Sequence, residues 1–231
     1  MDAEVSGPAR WRVGEWLADG SMEAVAEINA QCLDYLCLLA AESAPGAAVA
    51  AAPARRVPAM FGAQLETWRG LSPAARAHLA ASPYLLVEAG FEDEARWALP
   101  GRRMVQDRPA TPRAPVFTGP GAEAFMHSVL VFGWHLARAN RQLARVVLGM
   151  TPACAARVAT LKLGDMGWVV EHHPEWVRPR WERQPRVWRH LLCAALESDT
   201  ALLTQVSLRG LQLMAAGMLQ PGARGGAGAA L

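Results

Sequence analysis

The residues from Ala122 to Leu148 read AEAFMHSVLVFGWHLARANRQLARVVL, and this stretch decides the fold class. Its apolar side chains recur at steps of three and four residues, the spacing that places them on one face of an α-helix. Gly149 ends the pattern, as glycine commonly does after a helix. The stretch therefore predicts a single long helix, the longest of the chain. Its apolar positions include Phe125, Val129, Phe132, Leu136, Leu143 and Val147.

Further helices are predicted on both sides of this stretch. Ser21 to about Glu42 carries one apolar stripe, and Ser72-Pro73 and Thr151-Pro152 place a capping hydroxyl and a proline at a helix start. No window of four to eight residues shows the alternation of a strand. These patterns predict an all-α fold, an irregular helical bundle of about eight helices. The remaining helices are predicted over 59–69, 84–89, 165–172 and 185–197, and from Asp199 or Thr200 to about Met218.

Proline and arginine concentrate in one segment that divides the predicted helices into two halves. Residues 99–120 hold five Pro and four Arg, and proline-rich segments favour extended conformations. We therefore expect an N-terminal helical half over 1–98, a crossover over 99–120, a C-terminal helical half over 121–218, and a disordered Gly/Ala-rich tail over 219–231.

Composition narrows the class of protein. Of the 231 residues, 52% are hydrophobic and 19% are charged, which is too apolar for a disordered chain. The formal net charge of +2 is well below that of a dedicated nucleic-acid coat, so any nucleic-acid site must be local. No apolar run approaches the ~20 residues of a membrane helix, and no secretory signal is recognisable. We therefore expect a cytoplasmic protein with no membrane contact.

The four cysteines lie in apolar, helix-like contexts and form no Cys-x-x-Cys pair. They are Cys32, Cys37, Cys154 and Cys193. In a chain that is not exported, this usage predicts buried free thiols rather than disulfides.

The segment from His172 to His190, HHPEWVRPRWERQPRVWRH, is the most distinctive in the chain. Arginine binds phosphate through paired hydrogen bonds, and indoles stack on bases. The alternative is structural, with the indoles anchoring an irregular connector to the core while the arginines lie over them and face water. The candidate residues for nucleic-acid or anion binding are Arg178, Arg180, Arg183, Arg186, Arg189, Trp176 and Trp181.

Residues able to support catalysis or bind a metal form no recognisable motif. His190 and Cys193 share a helix face, but His172 and His173 are adjacent and point apart, so a second close pair of ligands is missing. The chain has neither a Gly-x-Ser-x-Gly motif nor a phosphate-binding loop. We therefore predict no catalytic residue, no metal and no cofactor. A small metal- or thiol-dependent enzyme is the weaker alternative.

Several short stretches show a family resemblance. Leu148-Gly149-Met150-Thr151, the later Leu202-Leu203-Thr204 to Leu213, and Leu71-Ser72-Pro73 all resemble the FlhD-type subunit of the flagellar master transcriptional activator. The resemblance covers about residues 122–218, and no functional residue of that family maps onto this chain. It implies an all-α regulator that assembles with a partner and acts on transcription. Further matched positions are Ala155, Ala159, Leu161, Leu163 and Met166.

Abundant apolar helix faces without catalytic motifs predict a non-enzymatic protein, a bacterial regulator or adaptor that binds a protein partner or associates with itself. The stretch 122–148 is either a partner helix or an ordinary core helix, with Arg138, Arg141 and Arg145 on its other faces. The alternative function is a nucleic-acid-binding transcriptional regulator that uses residues 176–189.

Overall fold

The computed structural model of the chain describes residues 20–43, 58–102, 113–197 and 199–218. Ten α-helices and one small sheet occupy these residues, and a 3₁₀ turn at Gly62–Gln64 leads into the second helix. In chain order the elements are α1 (Ser21–Glu42), α2 (Leu65–Arg69), α3 (Pro73–Ala80), β1 (Val87–Glu88), α4 (Glu94–Arg102), α5 (Ala122–Ala139), α6 (Arg141–Leu148), α7 (Pro152–Thr160), α8 (Leu163–His172), β2 (Arg178–Pro179), α9 (Pro185–Glu197) and α10 (Thr200–Met218).

The all-α prediction is confirmed, and helix starts follow the capping chemistry of the sequence. The Ser72 hydroxyl accepts a hydrogen bond from the Ala75 amide at 3.2 Å, and the Thr151 hydroxyl accepts one from the Cys154 amide at 3.1 Å. Each cap is followed by a proline at the first helical position. A proline there costs nothing, because its missing N–H would have no partner inside the helix.

The single helix predicted over 122–148 is wrong, because the helix is interrupted at Asn140. Asn140 adopts an extended conformation (φ −151°, ψ 91°) between α5 and α6. Its side-chain oxygen accepts a hydrogen bond from the Leu143 amide at 2.9 Å. Asparagine is among the strongest helix caps, so it starts a new helix here although the apolar period continues through it.

The helix predicted over 84–89 is also wrong, since these residues are extended. Val87 and Glu88 form β1, which pairs antiparallel with β2 and aligns Val87 with Pro179 and Glu88 with Arg178. The Leu85 amide bonds to the Val147 carbonyl at 3.1 Å. Backbone partners distant in sequence thus replace the helical ones.

The two predicted halves share one hydrophobic core. Helix α1 packs against α2 and α3 of its own half and against α5 of the other. Helix α3 contacts α9, and α4 contacts α7 and α8. Residues 1–19, 44–57, 103–112 and the predicted tail at 219–231 lie outside the described part of the chain.

Helix α1 is long and apolar enough to span a membrane by length and composition alone, a feature that the sequence prediction did not credit. A helix at the centre of a globular core passes the same test. Asn29 on α1 is fully buried and donates to the carbonyls of Ala80 (3.2 Å) and Tyr84 (2.9 Å). Its side-chain oxygen accepts from the Leu86 amide at 2.7 Å. These three bonds join the middle of α1 to α3 and to the extended segment after it.

Candidate functional site

Arg180, one of the predicted anion-binding residues, lies in the core and is 5% exposed. Its guanidinium group donates hydrogen bonds to three backbone carbonyls, those of Leu85 (2.6 Å), Leu148 (3.0 Å) and Val87 (3.2 Å). Its own amide donates to the Leu86 carbonyl at 2.8 Å. Arg180 therefore ties the extended segment after α3 to the end of α6, and its Nε and Nη2 donors are not available to a phosphate.

The surroundings of Arg180 explain how a cation is accommodated there. Burial lowers the pKa of Arg180, and the nearby carboxylates of Glu88 and Glu92 act in the opposite direction. Three carbonyl dipoles replace the water that the guanidinium loses, as a buried charge requires. Gly149 leaves room for the group, because a Cβ there would lie 3.1 Å from Arg180 Nη1.

The indoles of the segment are mostly enclosed and do not form a stacking platform. Trp176 is 7% exposed and stacks on the His173 ring at 4.7 Å between centroids. Trp188 is fully buried, and its Nε1 donates to the Arg180 carbonyl at 2.7 Å. Trp181 is half-buried and meets the Tyr84 ring edge-on at 5.5 Å. The tryptophans thus anchor the connector, as the structural alternative states.

Arg178 is held by partners within the protein. It forms a two-bond ion pair with Glu182, Nε to Oε2 at 2.6 Å and Nη2 to Oε1 at 2.9 Å. Its Nη1 donates to the Ala114 carbonyl at 3.2 Å. A paired guanidinium offers little to an external anion, so Arg178 acts as a link between the connector and the chain that precedes α5.

Three predicted arginines remain exposed. Arg183 precedes α9, and Arg186 and Arg189 lie on its outer face with His190. None of the three arginines makes a hydrogen bond or an ion pair with a described residue. Arg113, which the sequence assigned to the crossover, is exposed as well and lies near Arg183. Its pKa is lowered by burial and by the charges of Arg183 and Arg178. The exposed basic surface near the start of α9 therefore consists of Arg113, Arg183, Arg186 and Arg189.

Histidines and acidic groups near this segment form pairs rather than a metal centre. His173 Nδ1 lies 3.3 Å from Glu175 Oε1, and the Trp168 ring stacks on His172 at 4.8 Å. In the part of the chain that the structure describes, no three His, Cys, Asp or Glu side chains are arranged to hold a metal ion.

The prediction that the cysteines are buried free thiols is only half right. All four are free, and Cys32 and Cys154 are buried, but Cys37 is half-buried and Cys193 is exposed on α9. Burial raises the pKa of Cys32 and of Cys154 well above the usual thiol range. The two buried thiols are therefore unreactive, because the thiolate is the nucleophile.

The stretch 122–148, offered as a partner helix, is instead the centre of the core. Helix α5 packs against α1, α6, α7 and α8. At Gly133 a Cβ would lie 2.8 Å from Phe91 Cζ, so the neighbouring chain runs directly over the helix. This face is already occupied.

Helix α10 has exposed apolar surface on one side. Its inner side packs on α9 and α6, with Gly210 and Met214 buried. Its outer side exposes Leu208, which is 55% accessible. We call this side the α10 outer face. Its uncharged residues are Ala201, Thr204, Gln205, Leu208, Gln212, Ala215 and Ala216, all of them exposed, and the exposed Arg209 lies at its edge.

Comparison of the chain with protein-family models, with curated proteins and with solved structures finds no match. Any functional assignment therefore depends on the residues of this chain alone.

Sequence reasoning missed Arg113 and the α10 outer face. Arg113 is 65 residues from Arg178 in the chain, and no local pattern links the two. The sequence did contain a signal for the exposed face of α10, since Arg209 is the only charged residue among the 19 of this helix. Apolar residues occupy most of its circumference, so periodicity alone did not separate an inner from an outer side.

Proposed function

We propose that the chain is a non-enzymatic helical protein that acts by binding another protein through the α10 outer face. The observation that carries this proposal is the low charge of that helix, in which Arg209 is the one charged residue among 19. Seven of its exposed side chains are uncharged, and they include Leu208, which is 55% accessible; the exposed Arg209 lies beside them. Protein interfaces are depleted of charged residues at their cores.

Other exposed helix faces of this chain do carry several charged side chains. The exposed side of α1 carries Glu23, Glu27 and Asp34, and that of α9 carries Arg186 and Arg189. Uncharged exposed surface is therefore not a general consequence of the apolar composition. A helix face that meets only water tolerates charge without penalty, whereas a face that binds protein loses affinity with each buried charge.

The FlhD-type resemblance supports a regulatory role for this binding. Its matched stretch Leu202 to Leu213 includes most of α10. We infer a bacterial, cytoplasmic regulator or adaptor, and the bonds of the buried Asn29 support α1 as a core helix in this setting.

A capture experiment with matched variants tests the proposal. Tagged wild-type chain is compared with Leu208→Glu and with Leu38→Glu, since Leu38 on α1 is 54% exposed and Leu208 is 55% exposed. We expect the wild-type chain to capture a protein in stoichiometric amount. That protein is either a different one or an untagged copy of the chain, which is co-expressed in the same cells. It is lost with Leu208→Glu and retained with Leu38→Glu. Capture that is equal for all three chains contradicts the α10 outer face as the site.

A second candidate function, nucleic-acid binding, is favoured by the exposed arginines at the start of α9. Arg183, Arg186 and Arg189 make no bond within the described protein, and Arg113 adds a fourth charge beside Arg183. Four neighbouring cations offer contacts to successive phosphates. The buried indoles leave phosphate contact, rather than base stacking, as the mode of binding.

Fluorescence polarisation of a labelled mixed-sequence duplex at low and moderate salt tests this candidate. The double change of Arg186 and Arg189 to Gln is expected to reduce the slope of log affinity against log salt by about 2, because each phosphate contact contributes about 0.9. The control changes the exposed Arg141 and Arg157, on α6 and α7, to Gln. Equal slopes for the two double variants contradict a site on α9.

A further inference from the structure

The second part of the chain repeats the helix pattern of the first. Gly20 and Gly121, both with positive φ (69° and 76°), stand directly before α1 and α5. Each of these long helices packs against the next two, α1 against α2 and α3, and α5 against α6 and α7. The capping pairs Ser72-Pro73 and Thr151-Pro152, which start α3 and α7, lie 79 residues apart. Both the order of the elements and their contacts therefore recur.

The two strands are related in the same way. Antiparallel pairing aligns Val87 with Pro179 and Glu88 with Arg178, so each strand offers its first residue to the second residue of the other. A twofold axis between the strands produces this exchange. It makes Arg178 the equivalent of Val87, at a spacing of 91 residues. The spacing exceeds that of the caps because the second part of the chain contains the additional helix α8.

The turn after each strand matches at the same spacing of 91. Gly90 and Trp181 both have positive φ (62° and 54°). In each turn this residue's carbonyl accepts a bond from the amide three residues later, that of Asp93 at 3.0 Å and that of Gln184 at 2.7 Å. A tryptophan seldom adopts this conformation, so the repeated architecture accounts for it better than local propensity does.

The helices that follow these turns complete the match and exchange places. Helix α4 begins at Glu94 and α9 at Pro185, and each contains a fully buried tryptophan, Trp97 and Trp188, again 91 apart. Helix α4 packs against α7, while α9 packs against α3. We call α1, α2, α3, β1 and α4 the first unit, and α5, α6, α7, β2 and α9 the second unit. Each unit thus lends its last helix to the other.

The exposed side chains at equivalent positions of the two units differ in charge. Residues 92–95 read EDEA in the first unit, and the equivalent residues 183–186 read RQPR in the second. Glu92, Asp93 and Glu94 are exposed, and so are Arg183 and Arg186. The same place on the fold is therefore acidic in one unit and basic in the other.

We propose that the chain is a fused pair of equivalent units of which only the second binds an anionic partner, so that each chain holds one nucleic-acid duplex on one side. The choice of partner rests on the second candidate function, nucleic-acid binding. The pairing of the units does not depend on it.

The difference in charge argues for this one-sided mode of binding. A twofold-symmetric DNA-binding protein presents the same surface to both halves of its site. In this chain the equivalent surface of the first unit presents three carboxylates, and juxtaposed like charges weaken an interface. The duplex therefore contacts the second unit alone, and the approximate twofold axis of the protein takes no part in recognition.

Exchange of the four-residue segments tests the inference in the full chain. Placing the basic segment in the first unit creates a second basic surface on an equivalent turn. The proline then occupies the first residue of α4, the position that Pro185 has in α9, so we expect the variant to fold, as judged by circular dichroism. This first-unit exchange consists of Glu92→Arg, Asp93→Gln, Glu94→Pro and Ala95→Arg.

Sedimentation velocity at low salt with excess labelled duplex of about 15 base pairs, about 50 Å long, counts the duplexes bound to each chain. We expect one for the wild-type chain and two for the first-unit exchange. The reverse exchange in the second unit is expected to bind none at the concentration that saturates the wild type. It consists of Arg183→Glu, Gln184→Asp, Pro185→Glu and Arg186→Ala.

A matched control separates position from net charge. The first-unit exchange adds five positive charges, and so does a triple change at exposed positions of α1. This control is expected to bind a single duplex, since its new charges do not lie on an equivalent turn. It consists of Glu23→Arg, Glu27→Arg and Ala41→Arg.

Several results overturn the inference while nucleic-acid binding stands. They are a wild-type chain that binds two duplexes, a folded first-unit exchange that still binds one, and a second duplex bound by the α1 control. A first-unit exchange that does not fold contradicts the equivalence of the two turns. A wild-type chain that binds no duplex at low salt rejects the second candidate function, and the inference with it.

Discussion

Replacing Arg180 with glutamine separates the structural from the nucleic-acid interpretation of the Arg/Trp segment. The guanidinium makes three hydrogen bonds to the carbonyls of Leu85, Val87 and Leu148. Bonds that involve a charged group contribute about 1.5–3 kcal/mol each. Glutamine relieves the cost of burying a cation, but its amide has only two N–H donors, so at least one of the three carbonyls is left without a partner. We therefore expect the free energy of unfolding to fall by about 3–5 kcal/mol, as when one partner of a buried pair is removed.

Urea unfolding followed by tryptophan fluorescence measures this loss, since the chain holds nine Trp. Arg186→Gln is the control, because that side chain is exposed and makes no bond within the described protein; it is expected to change stability by about 0.5 kcal/mol or less. Arg180→Lys keeps the charge but loses the planar fork, and it is expected to lie between the two. The reasoning is refuted if Arg180→Gln is as stable as the wild type, or if it folds normally and loses nucleic-acid affinity alone.

Three further changes test the packing around this region, and a fourth, in α8, is a control. Asn29→Ala removes three buried hydrogen bonds and is expected to lower the free energy of unfolding by about 3 kcal/mol in urea; a loss below about 1 kcal/mol contradicts the bonding. Burial raises the pKa of Tyr84 from 10.0 to about 12. The folded state thus favours the neutral phenol. The contribution of the neutral phenol to the free energy of unfolding is complete below pH 10 and is lost by pH 12. The free energy of unfolding of the wild-type chain is therefore expected to fall by about 3 kcal/mol over that interval, and Tyr84→Phe is expected not to show this fall. Unfolding curves at pH 9 and pH 12 check this. At Gly210 a Cβ would lie 2.2 Å from the Tyr84 hydroxyl, so Gly210→Ala is expected to cost about 1–3 kcal/mol. Gly167→Ala in α8, where a Cβ meets nothing within 4 Å, is expected to gain about 0.5–1 kcal/mol. Equal melting temperatures for the two alanine variants would contradict the close approach at Gly210.

Helix starts and ends were predictable where the chemistry is local. Ser72 and Thr151 each cap a helix whose first residue is proline, and both lie where the sequence placed them. The bounds of α9 and α10 follow from proline, from Asp199, whose side chain accepts from the Ala201 amide at 2.8 Å, and from apolar spacing. These signals act within four residues, so the local sequence contains all the information that sets these helix ends.

The extended segment after α3 was not predictable, because its partners are distant. Asn29 and Arg180 both bond to the backbone of residues 84–87, from positions 55 residues (Asn29 to Tyr84) and 95 residues (Arg180 to Leu85) away in the chain. Local propensity favoured a short helix, but the tertiary partners satisfy the same backbone groups in an extended form. The same contacts explain why Arg180 was assigned to a surface site. In the sequence it alternates with arginines that do face solvent, and only the position of the carbonyls distinguishes it.

Leu208 on the α10 outer face allows the opposite test. Leu208 is more than half exposed, so changing it to glutamate should leave the free energy of unfolding nearly constant. If the α10 outer face binds a protein, as proposed, the same change is expected to abolish that binding. Stability and association are therefore expected to separate at this position. At Arg180 the reverse is expected, because the glutamine variant loses stability but keeps its binding. Measured together, the two variants test whether folding and binding depend on different residues.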